Sequence, residues 1–223
     1  MISAVVFDVG ETLVDETREY GTWADWLGVP RQTFSAVFGA VIAEGRDYRE
    51  TFQIFRPGFD LTRERQARVD AGYPETYGEE DLYPDVRPAL SALRESGVWV
   101  GIVGNQTARS GQILRGLDLP ADFIATSDDW GVQKPSAEFF AKLVAVAPCG
   151  IGEIVYVGDR IDNDIAPAKR AGLRTAYIRR GAWGWILRDR EEVARLSDWQ
   201  LRELTELPKI VVAENGSASR PGS

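Results

Sequence analysis

The chain has 223 residues, 44% of them hydrophobic, which suits one sizeable domain or a core domain carrying a smaller insert. A formal charge of −8 speaks against a nucleic-acid partner, and no apolar run reaches the ~18 residues of a membrane span. With no histidine and a single cysteine, Cys149, the usual Ser-His-Asp, Cys-His and zinc chemistries are excluded, which leaves carboxylates, lysine, hydroxyls and a hard metal to carry a reaction.

The chain opens on an apolar run, Ala4 to Phe7, that stops at Asp8. Met1 to Val6 carries neither a basic region nor a cleavage site, so a cytoplasmic protein is expected. From about Glu16 to Leu82 no strand-like run occurs, and apolar residues recur at helical spacing: Tyr20, Trp23, Ala24 and Leu27, then Phe34, Val37, Phe38, Val41 and Ile42. This stretch is expected to be an all-helical insert whose aromatic stripes pack on one another.

A helix from Val86 to Ser96, closed by Gly97, leads into a strand over Val98 to Val103. A strand at Phe123 to Thr126 and a helix over Ser136 to Ala147 follow. The next strand, Ile154 to Gly158, again stops at an aspartate, Asp159; after it come a helix over Asp164 to Ala171, closed by Gly172, and a strand at Thr175 to Ile178. Trp183 and Trp185 are expected to pack on the domain surface, with Arg179 and Arg180 solvated. The Gly-, Ser- and Pro-rich segment from Glu214 to Ser223 is expected to be disordered.

Short Val- and Ile-rich runs alternating with helices imply a parallel α/β sheet buried on both faces. The fold expected is a Rossmann-like α/β core (1–15 and 83–213) with an inserted helical cap (16–82) and a disordered tail (214–223). Ligands of such sheets sit beyond the carboxyl ends of the strands, so Asp8 and Asp159, though distant in sequence, should meet around a divalent cation.

Four blocks, in order, resemble the haloacid dehalogenase-like superfamily. Phe7 to Leu13 is similar to its nucleophile loop, usually D-x-D-x-T; Gly101 to Asn105 corresponds to a strand that normally ends in Ser or Thr. Lys134-Pro135 matches the third block, and Gly158-Asp159 through Asp164 matches the acidic G-D-x-x-x-x-D. The resemblance implies Asp8 as the nucleophile that takes up the phosphoryl group and Lys134 as a fixed positive charge beside it. It implies Mg2+ held by Asp8, Asp159 and the Gly10 carbonyl, with Asp164 acting through water or as the N-cap of the following helix. Asp162 reads as a plain exposed loop residue.

Two positions depart from the pattern. Gly10 replaces the second aspartate, which in the family's phosphatases protonates the leaving oxygen; Glu11 next to it is a candidate replacement. Gly104 replaces the hydroxyl that grips phosphate, and backbone N–H groups near Gly104, the Asn105 side chain and Thr107 are candidate substitutes. The activity implied is that of a magnesium-dependent phosphatase of a small phosphorylated metabolite, working through an aspartyl-phosphate. Two alternatives remain open: a metal-independent dehalogenase-type hydrolase, and a binding or regulatory protein that has lost turnover. Neither a nucleic acid nor a membrane is expected as partner, and the sequence carries no sign of oligomeric state.

Overall fold

A computed structural model describes residues 1–218. Six parallel strands form one sheet: β1 (Ala4–Phe7), β2 (Trp99–Gly104), β3 (Phe123–Thr126), β4 (Ile154–Gly158), β5 (Arg174–Ile178) and β6 (Trp199–Leu201), in the order β3-β2-β1-β4-β5-β6. The chain winds one way from β1 to β3 and the other way from β4 to β6. The winding therefore reverses between β1 and β4, the place where doubly wound sheets open a crevice for ligand.

Alternating side chains send each central strand into two cores. Val5, Phe7, Val100, Ile102, Val155 and Val157 face one side, packed against Ala89, Leu90 and Leu93 of α5 (Val86–Glu95). Ala4, Val6, Ile154 and Tyr156 face the other, against Phe139, Phe140 and Leu143 of α8 (Ala137–Val146). The remaining helices that follow β2 and β3 are α6 (Ala108–Gly116) and α7 (Ser127–Trp130). Those that follow β4 and β5 are α9 (Ala166–Arg170), α10 (Gly181–Ile186), α11 (Glu191–Leu196) and α12 (Leu207–Ala218).

Between β1 and α5 lie α1 (Thr17–Leu27), α2 (Arg31–Ala43), α3 (Glu50–Phe55) and α4 (Leu61–Asp70). Their shared core is aromatic. Trp23, Phe34, Phe38, Phe52 and Phe59 are buried together, with Phe34 edge-on to Phe52 at 5.5 Å and Trp23 edge-on to Phe52 at 5.6 Å between centroids. Both stripes read from the sequence face this core. Among the described residues no helix is long and apolar enough to cross a membrane.

Four local expectations need correction. The three-residue strand β6 has no sequence counterpart, because its flanks are polar and its own run is too short to read as a strand. The segment expected to be disordered from Glu214 is helical as far as Ala218; the Asn215 side chain bonds both the N–H and the C=O of Ile2, and Glu214 pairs with Arg174 at 2.7 Å, tying the helix to the sheet. Residues 219–223 lie outside the described residues. The helix expected from Asp164 is preceded by a wide turn over Ile161–Ile165, and α9 begins only at Ala166. Finally, Trp183 is not on the surface: it packs edge-on against Phe38 and Tyr48 of the helical insert at 5.2 and 5.8 Å, while Arg180 is buried, donating to the Thr12 carbonyl at 2.8 Å and pairing with Asp85.

Candidate active site

Phe7 of β1 lies beside Val157 of β4, and the Asp8 N–H donates to the Val157 carbonyl at 2.9 Å. Asp8 thus leaves the sheet at the winding reversal, one strand from Asp159. A carboxylate oxygen from each of Asp8, Asp159 and Asp164 falls within 4.8 Å of the others, and all three residues are buried.

Lys134 enters this cluster from the loop before α8. Its Nζ lies 2.7 Å from Asp8 Oδ1 and 2.5 Å from Asp164 Oδ1, with no side-chain surface exposed. Burial works against its charge, but Asp164 and Asp8 outweigh it and hold the ammonium well above the usual lysine range. The Lys134 backbone is fixed in turn by Asn105, whose Oδ1 accepts from the Lys134 N–H at 2.7 Å and whose Nδ2 donates to the Lys134 carbonyl at 2.9 Å.

Asp164 is therefore an anchor for Lys134. Its other oxygen accepts from the Arg160 N–H at 3.0 Å, which closes the wide turn rather than capping α9, so the N-cap expectation is corrected. Gly158 makes this possible, because a Cβ built there would stand 2.5 Å from the Asp164 carboxyl carbon. Asp162 is exposed and pairs with Arg160 at 2.6 Å.

Asp159 is different. Only 1% of its surface is exposed, and its Oδ2 has no hydrogen-bond partner among the described residues. Burial first, then the charges of Asp164 and Asp8, push its carboxyl well above the usual range. An orphaned carboxylate oxygen beside two further carboxylates, with one lysine between them, leaves unbalanced negative charge; a hard divalent cation fits this oxygen-only donor set.

Gly104 has a steric reason. A Cβ on it would stand 2.5 Å from Asp8 Oδ1. The glycine at this strand end thus makes room for the aspartate in its contact with Lys134, and the missing hydroxyl is the other face of that fit. Of the substitutes named from sequence, the Asn105 amide is bonded to Lys134. Thr107 caps α6, accepting from the Ser110 N–H at 3.0 Å while donating to Glu75 at 2.8 Å. Both positions line the cleft over Asp8, yet their polar side-chain atoms are held by protein partners.

Glu11 adopts a left-handed backbone conformation, φ 52°, which is uncommon for a residue with a side chain. Its carboxylate accepts from the Tyr83 hydroxyl at 2.6 Å and from the Glu16 backbone N–H, and its stem rests against Gly181. Burial raises its pKa to about 7, with the Tyr83 hydrogen bond pulling the other way. The sequence reading gave no role to Glu16, which precedes α1. Its carboxyl lies against Gly10, and burial, then the charges of Glu11 and Asp8, lift its pKa well above the usual range. The signal that could have found it is a carboxylate a few residues beyond the Phe7 to Leu13 block, in which Gly10 stands in place of an acid.

Above these residues opens a cleft of about 560 Å³, the size of a small-molecule site, reaching from Asp8 and Lys134 to Tyr48, Arg49, Phe52 and Arg65 of the insert.

Comparison with known proteins agrees with this geometry. Residues 2–172 match the description of the haloacid dehalogenase-like hydrolases. The chain is 32% identical to a glyceraldehyde 3-phosphate phosphatase of Methanopyrus kandleri, over 82% of this chain and 86% of that one. It is 31% identical to a ribulose-1,5-bisphosphate 5-phosphatase of Halopiger xanaduensis, over 95% and 100% respectively. The fold is that of the HAD-hydrolase YfnB of Bacillus subtilis, solved bound to magnesium: TM-score 0.68 at 20% identity, covering 94% of this chain and 98% of that one. By strand order, by the four blocks that converge at the sheet's winding reversal, and by this match over most of its length, the chain belongs to the haloacid dehalogenase-like hydrolase family.

Proposed function

We propose that this protein is a magnesium-dependent phosphatase of small phosphorylated metabolites, with Asp8 as the nucleophile and the helices of 16–82 as a cap over the cleft. The observation that carries the reading is the convergence of Asp8, Asp159 and Asp164 on one point with Lys134 paired to two of them. The relatives named as phosphatases of a triose phosphate and of a sugar bisphosphate support the substrate class. The unpartnered oxygen of Asp159 favours a metal-using phosphatase over the metal-independent dehalogenase reading.

Asp8, Asp159 and the Gly10 carbonyl would hold the Mg2+, with Asp164 behind them. When bound, the ion neutralises charge on the phosphoryl oxygens. The protein's own residues do the rest. Asp8 attacks phosphorus and takes the phosphoryl group as an acyl-phosphate, splitting one displacement into two. Lys134, charged and immobile between Asp8 and Asp164, keeps the attacking oxygen oriented and offers its ammonium to the transferring group. Asn105 holds the Lys134 backbone in place, and Gly104 leaves Asp8 the space to lie against the ammonium.

The test is phosphate release from an alkyl and an activated aryl phosphate ester, with Mg2+ and with chelator, for the native protein and Asp8→Asn. Release that requires the metal and disappears in Asp8→Asn is expected; turnover retained by that variant refutes the reading.

A further inference from the structure

Transfer of a phosphoryl group from an alkyl ester to Asp8 expels an alkoxide, which needs a proton as the bond breaks; the water that then cleaves the acyl-phosphate must give one up. Position 10 has no side chain to manage either transfer. The cleft, however, is lined by several further carboxylates, and their partners separate them.

Asp164 stands behind the cleft wall, fully buried and bonded to Lys134 and to the Arg160 N–H. Glu11 lines the cleft as well, but its carboxylate already accepts from the Tyr83 hydroxyl at 2.6 Å. Glu19 is paired at 2.9 Å with the buried Arg68, and Glu75 accepts from Thr107. The Glu16 carboxylate accepts no hydrogen bond from any described residue. Its place is specific: a Cβ built on Gly10 would stand 2.6 Å from Glu16 Oε1 and 2.7 Å from its carboxyl carbon. The side chain of residue 16 thus fills the space that a side chain at residue 10 would take, two residues beyond the nucleophile. It arrives from the first residue before α1 rather than from the nucleophile loop.

We propose that Glu16 is the general acid–base of this site, set beside Gly10 from the start of the helical insert. In the first step its carboxyl gives a proton to the departing alkoxide oxygen, as the ester P–O bond breaks and the bond from Asp8 to phosphorus forms. In the second step its carboxylate takes a proton from water, whose oxygen attacks phosphorus; the Asp8–phosphorus bond breaks, releasing inorganic phosphate, and both carboxyl groups return to their starting states. The assignment rests on the phosphatase reading above. It also accounts for Gly10, since a Cβ there would force the end of the Glu16 side chain out of this place.

The experiment compares the native protein, Glu16→Gln and the pair Gly10→Asp with Glu16→Gly on an alkyl phosphate and on 4-nitrophenyl phosphate. It reads turnover, phosphoenzyme trapped by acid quench, and Mg2+ affinity by calorimetry. Glu16→Gln is expected to lose about 10²- to 10⁴-fold on the alkyl ester. The burst of 4-nitrophenol, whose leaving group needs no proton, should change little, phosphoenzyme should accumulate because its hydrolysis is slowed, and Mg2+ affinity should hold. The double variant, which supplies the carboxyl from the other side of the same space, should regain about tenfold or more on the alkyl ester over Glu16→Gln.

Undiminished alkyl-ester turnover in Glu16→Gln would overturn the assignment. So would an equal fall on both esters together with weakened Mg2+ binding, which would make Glu16 a metal ligand, or a double variant no faster than Glu16→Gln. In each of these cases Asp8-dependent phosphate release by the native protein leaves the phosphatase reading standing, whereas absence of that release from either ester overturns the reading itself.

Discussion

The sheet core and the helical insert are built from different materials. The core faces of β1, β2 and β4 are lined mainly by valine and isoleucine, while the insert buries Trp23, Phe34, Phe38, Phe52 and Phe59 in one cluster. Branched aliphatic side chains hold parallel strands in a single register, and that register delivers Asp8 and Asp159 to one point. The rings of the insert meet mostly edge-on or offset, so its helices are held by large side chains in contact and not by a strand register. Ionic chemistry divides in the same way: Lys134, Asp8, Asp159 and Asp164 are buried together at the strand ends, whereas the insert pairs Arg46 with Glu50 and Arg49 with Asp47 in solvent. Arg68 departs from the rule inside the insert, where it is buried against Glu19 and lies 4.1 Å from the Trp23 ring.

The sharpest way to break this division is Lys134→Met. Removing one partner of a buried charge group leaves the others uncompensated, so a loss of about 3–5 kcal/mol is expected in urea unfolding without metal. The phosphorylation step should also slow by roughly 10²- to 10³-fold, since a preorganised charge is lost from the reacting group. Unchanged stability would mean that Asp8 and Asp164 are not both charged in the fold.

Phe34→Ala tests the other region. Its ring is 1% exposed and meets Phe38, Phe52 and Phe55, so a loss of about 3–5 kcal/mol is expected. Hydrogen exchange should show where the loss falls: amides of α1 to α4 lose protection and those of β1 and β4 keep it. Equal loss in both regions would make the insert and the sheet one cooperative unit.

Asp159→Asn should have the opposite sign. Its folded carboxyl titrates above its unfolded value, so in the metal-free protein at neutral pH its charge opposes folding. The amide variant is therefore expected to be more stable without metal by about 1–3 kcal/mol, and Mg2+ is expected to raise the Tm of the native protein but not that of the variant. The gap between the two proteins should narrow as the pH falls toward about 4, where the unfolded carboxyl also takes up its proton. A variant less stable than the native protein at neutral pH, with chelator present, would show that the orphaned oxygen is paired after all.

What the sequence reveals follows from this division. Three of the four long-range blocks are legible because each lies at the end of a Val- or Ile-rich run, where burial on both faces leaves few alternatives to a strand; the Lys134-Pro135 block, in the loop before α8, is legible only by its order among the other three. The aromatic stripes of α1 and α2 are legible for the same reason, through their helical spacing. Gly104 and Glu16 are not legible, because their meaning is steric. Whether a glycine marks a lost hydroxyl or the space for Asp8 depends on a neighbour from another strand, and the place of the Glu16 carboxyl depends on the turn that begins α1. By type and position Asn105 is a candidate phosphate ligand; only the approach of the Lys134 backbone shows that its amide is already bonded. The order of the tail as far as Ala218 is not legible, because composition says nothing of the Asn215 bonds to Ile2.

Trp183 and Trp185 carry the comparison into a single loop. By sequence both belong to the core, two residues apart on α10; by packing, Trp183 belongs to the insert cluster and is 7% exposed, while Trp185 is 58% exposed and meets Arg188 at 5.4 Å from its ring. Trp185→Ser should therefore change stability by no more than about 0.5 kcal/mol, the smallest effect expected here, whereas Trp183→Ala should cost several, as large aromatic truncations do. Thermal unfolding of the two variants, followed by sedimentation of Trp185→Ser over a range of concentrations, separates the possibilities. A loss of several kcal/mol in Trp185→Ser, or a change in its sedimentation, would mean that the indole is covered by another molecule in solution, and the boundary of the insert's aromatic cluster would then have to be drawn through that interface instead of at Trp183.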